Sequence, residues 1–465
     1  MKTFLHAIVL AAGFAVCAAA ETPVVTIDSG KIAGQEAAGM TRFLGIPYAA
    51  PPIGDLRWRA PQAVKPWEGV RDANAFGPVC RQTADWVKAA QSEDCLTLNV
   101  WAPTTKANKP YPVMVWIHGG GLVSGYGSEW GPEGGKSIVQ KGMILVSINY
   151  RLGVFGFFAH PALSAEAADH ASGNQGFRDQ IAALQWIQRN IAKFGGDPNN
   201  VTIGGCSAGG SSVAALTISP LAKGLFQRGI SESGVVGPIP TLAAAQQRGV
   251  DLGQTLKAPQ LSALRNISAE ELLKQPWIGM PNLDGATFPE LASQSFASGH
   301  QNHVPVLLGW NADEGIDLAS DVLGSKEITA AIYPRLLQKL FGPQIPPVIL
   351  AQYPGKTDAE ALASAQRLVT DMIGLEHFGW AVMQEKTKTE PVYLYQHVPG
   401  AKPDFQDARA LQIRQGRAPP ILPAPDRDNC GNEIIAPCEA MIKVIKEPAH
   451  EFTHTVAFLF SAMIV

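Results

Sequence analysis

Ser207 stands in the run Gly205-Cys206-Ser207-Ala208-Gly209, which fits G-x-S-x-G. A strand-like stretch, Val201 to Ile203, precedes it, and small residues that open a helix follow. A serine at a sharp strand-to-helix turn occupies strained backbone, and glycines two before and two after it keep neighbouring chain from clashing. The strain lifts the hydroxyl above the sheet edge, while the helix N-terminus turns free N–H groups toward a developing oxyanion. A glycine-rich turn is the plainer reading of five such residues, and the flanking strand and helix weigh against it. A second signal is His118-Gly119-Gly120-Gly121, which ends the apolar run Tyr111 to Ile117. Consecutive glycines at a buried strand end let backbone amides point into one cavity. With the N–H of Ala208 they could hold the negative oxygen of a tetrahedral intermediate; alone, they could be a flexible turn.

These residues need a frame. The continuous apolar runs Tyr111 to Ile117 and Met143 to Tyr150 are of the kind expected for strands covered on both faces. After Asn174, the residues Ile181, Leu184, Ile187 and Ile191 recur at three- and four-residue spacing, giving a helix with one apolar face. Gly195-Gly196-Asp197-Pro198 stops it, the Ser207 strand follows, and Phe226 to Ser233 reads as another strand. This alternation is that of an α/β protein with a mostly parallel central sheet and helices on both faces. Upstream, Val24 to Ile32 and Glu93 to Trp101 alternate as strands, whereas the prolines of Phe43 to Pro52 assign that segment to a loop or sheet edge.

The 465 residues are 46% hydrophobic and 17% charged, with a net charge of −3. That is ordinary globular composition with no nucleic-acid footprint. Residues 1–20 read as an export signal: Lys2, an apolar core from Phe4 to Val16, and Ala18-Ala19-Ala20 before Glu21. No later run reaches the roughly 18 uninterrupted apolar residues of a membrane span. The mature chain is thus expected to be soluble, and secreted or periplasmic. Its remaining cysteines are Cys80, Cys95, Cys206, Cys430 and Cys438. The neatest division pairs Cys80 with Cys95 and Cys430 with Cys438, though spacing leaves other pairings open. No cysteine has metal-ligand spacing with histidines.

Many blocks in one order resemble the type-B carboxylesterases of the α/β-hydrolase fold, a group that also contains the cholinesterases. They include FLGIPYAAPPIGDLRW at 43–58, EDCLTLNVWAP at 93–103, WIHGGG at 116–121 and SINYRLGVFGFFAHPAL at 147–163. GNQGFRDQIAAL at 173–184, FGGDPNNVTIGGCSAGG at 194–210 and LFQRGISESG at 225–234 continue the match. The resemblance implies Ser207 as acyl-forming nucleophile and Gly120, Gly121 and Ala208 as oxyanion donors. Glu314, in Gly309-Trp310-Asn311-Ala312-Asp313-Glu314-Gly315, takes the place of the triad acid; by itself it would read as a solvated loop carboxylate. Cys80 and Cys95 resemble the family's first disulfide. The implied activity is hydrolysis of a small-molecule carboxylic ester through a serine acyl-enzyme, with no metal or organic cofactor.

The chain departs from the family twice. Cys206 stands where glutamate usually precedes the serine. The block expected to carry the triad histidine has its nearest counterpart in Asp407 to Arg414, with Arg409 where the imidazole is wanted. An arginine, charged at any working pH, takes no proton from serine. Residues 21–408 therefore read as the hydrolase domain and 409–465 as an atypical tail, from a shifted frame or a degraded gene end. His397, His450 and His454 are the substitutes considered. The rival reading is a catalytically silent, esterase-like binding protein.

Overall fold

The computed structural model describes residues 22–105, 107–234, 239–277 and 279–398. The export signal, Cys430, Cys438, Arg409, His450 and His454 lie outside the described residues. Nine strands form the central sheet: β1 (Gln35–Ala37), β2 (Met40–Pro47), β3 (Thr97–Pro103), β4 (Tyr111–Ile117), β5 (Ile144–Ile148), β6 (Gly196–Cys206), β7 (Arg228–Glu232), β8 (Val306–Asn311) and β9 (Val392–His397). Their spatial order is β9-β8-β7-β6-β4-β5-β3-β2-β1. Pairing is parallel from β9 through to β5 and antiparallel over the remaining three strands. Val24–Ile27, Gly30–Ala33 and Val70–Asp72 make a separate three-stranded sheet.

Period-two alternation within the buried strands divides the core. Val113, Val115 and Ile117 of β4 join the larger cluster on one face, whereas Met114 and Trp116 join the smaller cluster on the other. Both faces are covered, which is why these strands carry unbroken apolar runs. On the larger-cluster face lie α1 (Gln175–Asn190), α2 (Ala208–Ile218), α3 (Ala292–Ser298), α4 (Gly315–Leu323) and α5 (Asp358–Thr387), in part through one another. The apolar face expected of α1 is present: Ile181, Leu184 and Ile187 are buried. Among the described residues, no helix is long and apolar enough to cross a membrane.

One expectation is corrected and another holds. Val24 to Ile32 is not one strand, because Gly30, with φ of 145°, lets the chain reverse into a hairpin. Phe43 to Pro47 ends β2 and pairs with β3 on one side only, since β1 covers just Met40 to Arg42; the segment is a sheet edge, with loop from Tyr48 onward, as its prolines implied. The Cys80–Cys95 disulfide is present, closing a separation of 15 residues.

Candidate active site

Ser207 sits between β6 and α2 with φ of 55° and ψ of −122°. A side-chain-bearing residue adopts such a conformation only where its surroundings enforce it. The enforcement comes from packing against the end of β4. A Cβ on Gly205 would lie 2.4 Å from the Ile117 carbonyl oxygen, and one on Gly209 2.1 Å from the same atom. Both positions therefore accept only hydrogen, as the G-x-S-x-G spacing implied. Ser207 is exposed, while Ala208, Gly209 and Gly210 behind it are buried.

The Ser207 N–H donates to the Glu232 carbonyl at 2.7 Å, so the nucleophile's own amide is committed to the sheet edge. The first helical bond of the turn is donated by the Ser211 N–H to the Ser207 carbonyl, at 2.8 Å. Ala208, Gly209 and Gly210 thus hold N–H groups that have no acceptor within the helix.

The glycine run lies against this turn. A Cβ on Gly119 would sit 3.4 Å from Ser207 Cβ and 2.8 Å from the Cys206 carbonyl oxygen. Gly120 and Gly121 have φ of 100° and 63°, and the Gly120 carbonyl accepts from the N–H groups of Val123 and Ser124 at 3.0 and 2.9 Å. The chain therefore folds tightly around Gly120 immediately beside the exposed serine.

Glu314 begins α4, just beyond the end of β8. Its Oε1 accepts from the Ser233 hydroxyl and, at 2.9 and 3.1 Å, from the backbone N–H and Nδ2 of Asn311. Ser233 is tied to β8 in turn, its N–H donating to the Gly309 carbonyl at 2.7 Å. The half-buried carboxylate is thus oriented by three donors. Sequence reasoning did not assign Ser233 this part, although the block ISESG that contains it was part of the resemblance.

Beneath the site, Cys206, Glu232, Gly309 and Tyr395 stand in register across four parallel strands and share one face. A Cβ on Gly309 would meet the Tyr395 ring at 2.1 Å, so this glycine makes room for the ring to lie across the strand. The Tyr395 hydroxyl bonds the Glu232 carboxyl. Enclosure in apolar surroundings pushes that carboxyl up to about 7, against the opposing effect of the tyrosine bond. Tyr395 is itself raised, first by burial and then by the negative potential of Glu232, Cys206 and Glu314. Nothing in the sequence marked Glu232, because burial of a glutamate leaves no local pattern.

No described histidine joins Ser207 to Glu314. His118 is stacked on Tyr150 with Nδ1 2.9 Å from the Gly119 carbonyl oxygen, and burial lowers it to about 4. His377 is buried on α5, its Nδ1 2.9 Å from the Ile373 carbonyl oxygen. Burial lowers its pKa, opposed by the carbonyls of Ile373 and Ser231. His160 caps a short helix and His300 pairs with Glu290 at 2.8 Å. His397 is in register with Asn311 on β9, three strands from β6. At ~4.8 Å per strand that is roughly 14 Å from the nucleophile's strand, beyond the reach of an imidazole.

A mostly parallel sheet with a strained serine between strand and helix defines an α/β-hydrolase fold. Solved structures with this architecture include a PNB esterase, which superposes with a TM-score of 0.70 at 37% identity over 81% of this chain and 79% of that one. The fumonisin B1 esterase of Sphingopyxis macrogoltabida is 39% identical over 397 residues, covering 80% of this chain and 71% of the relative. The para-nitrobenzyl esterase of Bacillus subtilis (strain 168) is 39% identical over 373 residues, 75% of this chain and 73% of the relative. With the profile of the Carboxylesterase family matching residues 21–409, the chain belongs to that family of carboxylic-ester hydrolases.

Proposed function

We propose that the protein is an exported carboxylesterase acting on small-molecule esters through a Ser207 acyl-enzyme. The observation that carries this reading is the packing of Gly119 against Ser207, so close that a Cβ on Gly119 would lie 3.4 Å from Ser207 Cβ, which sets the glycine run against the exposed nucleophile. Ser207 Oγ attacks the ester carbonyl, and the N–H groups of Gly120, Gly121 and Ala208 hold the oxyanion. The Ser207 amide, spent on Glu232, does not contribute. The alcohol then leaves, and water attacks the acyl carbonyl to release acid and regenerate the serine.

Glu314, fixed by Ser233 and Asn311, is the acid that orients and electrostatically supports the base. The base is a histidine; His450 and His454, both outside the described residues, are the candidates. Export agrees with the apolar leader of residues 1–20 and with the Cys80–Cys95 disulfide, a bond that persists in oxidising compartments.

The test is hydrolysis of an activated aryl ester by the purified mature chain beside Ser207→Ala. Removing the nucleophile lowers turnover by about four to six orders of magnitude in a working site. Equal rates for the two proteins would overturn the reading and leave an esterase-like binding protein.

A further inference from the structure

The segment His118 to Gly127 leaves the sheet after β4 and carries the two glycine amides assigned to the oxyanion, so side chains hold it where a strand partner does not. Its ends are tied to the residues that follow β5. The Tyr150 hydroxyl donates to the His118 carbonyl at 2.9 Å, and Asn149 Oδ1 accepts from the Gly127 N–H at 2.8 Å. Its middle is tied by Gln82, a residue of the covalent loop between Cys80 and Cys95 that is only 4% exposed. Gln82 Oε1 accepts from the Gly125 N–H at 2.8 Å, while Nε2 donates to the carbonyls of Gly125 and Cys80, both at 3.0 Å. One carboxamide thus answers both backbone groups of a single glycine, as a neighbouring strand would. The Gln82 N–H in turn donates to Gln91 Oε1 at 3.0 Å, inside the same loop.

Gly125 is packed against the oxyanion segment itself. A Cβ there would lie 2.5 Å from the Gly119 carbonyl oxygen and would overlap the His118 ring. The Ser124–Gly125 peptide is one rigid plane. Its N–H edge rests on Gln82, and its carbonyl edge lies so close to Gly120 that a Cβ on Gly120 would overlap it. The Ser124 hydroxyl also donates to the Gly120 carbonyl, at 3.0 Å. Turning this peptide therefore displaces Gly120. An oxyanion hole works only when its donors are aimed before the charge arrives, and Gly120 and Gly121 have no side chains with which to fix their own direction.

We propose that Gln82 is a positioning residue for ester hydrolysis: from the disulfide-closed loop it clamps the Ser124–Gly125 peptide, and through that peptide it aims the amides of Gly120 and Gly121. Being buried, it acts through these glycines and does not meet the ester. The inference rests on the ester-hydrolase reading and deepens it.

Three variants test it: Gln82→Leu, Gln82→Glu and, as control, Gln188→Leu. Gln188 also bridges two carbonyls, those of Pro198 and Leu225 at 2.8 and 3.0 Å, but at the opposite end of β6 from Ser207. With an aryl acetate, Gln82→Leu loses about thirtyfold in kcat with KM within about twofold, short of the roughly 10²–10³ that removal of a donor costs. Gln188→Leu keeps kcat within about twofold. In Gln82→Glu the carboxylate faces the carbonyls of Gly125 and Cys80, and protonation restores a donor. Its kcat deficit against the wild chain therefore narrows as pH is lowered from 8 to 6, a signature that also serves if Gln82→Leu does not fold. Amide hydrogen exchange reads the clamp without turnover: residues 119–125 exchange faster in Gln82→Leu and at the wild rate in Gln188→Leu. Unchanged exchange or kcat in Gln82→Leu, a loss that falls on KM, or an equal loss in Gln188→Leu would each overturn the assignment. A wild chain no faster than Ser207→Ala counts against the ester-hydrolase reading instead, because exchange still decides what Gln82 holds.

Discussion

Replacing Glu232 with glutamine should remove a pH dependence of stability that is built into the sheet beneath Ser207. The carboxyl is enclosed between Cys206, Gly309 and Tyr395, and burial raises it from 4.5 to about 7. The folded chain therefore holds the Glu232 proton more tightly than the unfolded chain does. As pH rises from about 4.5 to about 7, the unfolded state loses that proton first, so stability falls across this window and is flat in this respect above it. At ~1.4 kcal/mol per pH unit the full loss is at most about 3.5 kcal/mol. Over roughly 380 folded residues, with an unfolding entropy of ~2.1 cal/mol/K each, this corresponds to about 4 °C in melting temperature.

Glutamine mimics the protonated carboxyl and can still accept from the Tyr395 hydroxyl, so its own stability lacks this slope. Melting both proteins by circular dichroism at pH 4.5 and pH 8 and taking the difference cancels the titrating groups that do not interact with Glu232. The Glu232→Gln advantage should grow by about 4 °C between the two pH values. A difference that stays constant with pH, or one that grows toward acid, would refute the reasoning.

Three further outcomes are expected. Gly209→Ala places a methyl 2.1 Å from the Ile117 carbonyl oxygen, so the turn must open; ester hydrolysis should drop to the level of Ser207→Ala, with a lowered melting temperature. Ser233→Ala takes one of three donors from Glu314; kcat should fall about tenfold with little change in KM, because the support is needed most as charge develops. Cys80→Ser with Cys95→Ser opens the covalent loop of separation 15 and should cost about 3 kcal/mol in urea unfolding, provided the reference protein is kept oxidised.

The parts of the site legible in the sequence are those whose constraints are local. Gly205, Ser207 and Gly209 announce themselves because a strained turn against Ile117 tolerates nothing else, and His118 to Gly121 because glycines crowd one strand end. The residues α1 buries were written in its three- and four-residue spacing. Contacts made across strands left no such mark. That Ser233 would reach Glu314, 81 residues away, depends on the neighbouring of β7 and β8, which no local pattern encodes. The enclosure of Glu232 has the same origin, since Tyr395 reaches it only across a glycine on the intervening strand. At Gly30 local reasoning erred, because the glycine was read through as strand, whereas the prolines from Pro47 onward marked the sheet edge correctly.

The crowding around Gly205 and Gly209 also governs how this protein can be re-engineered. With atoms already in contact at the Ile117 carbonyl, the junction of β4 and β6 offers no room in which to tune selectivity by substitution. Variation aimed at new esters belongs in the connecting segments around that rigid junction. Libraries that spare 205 and 209 should contain a far larger share of folded members than libraries that do not.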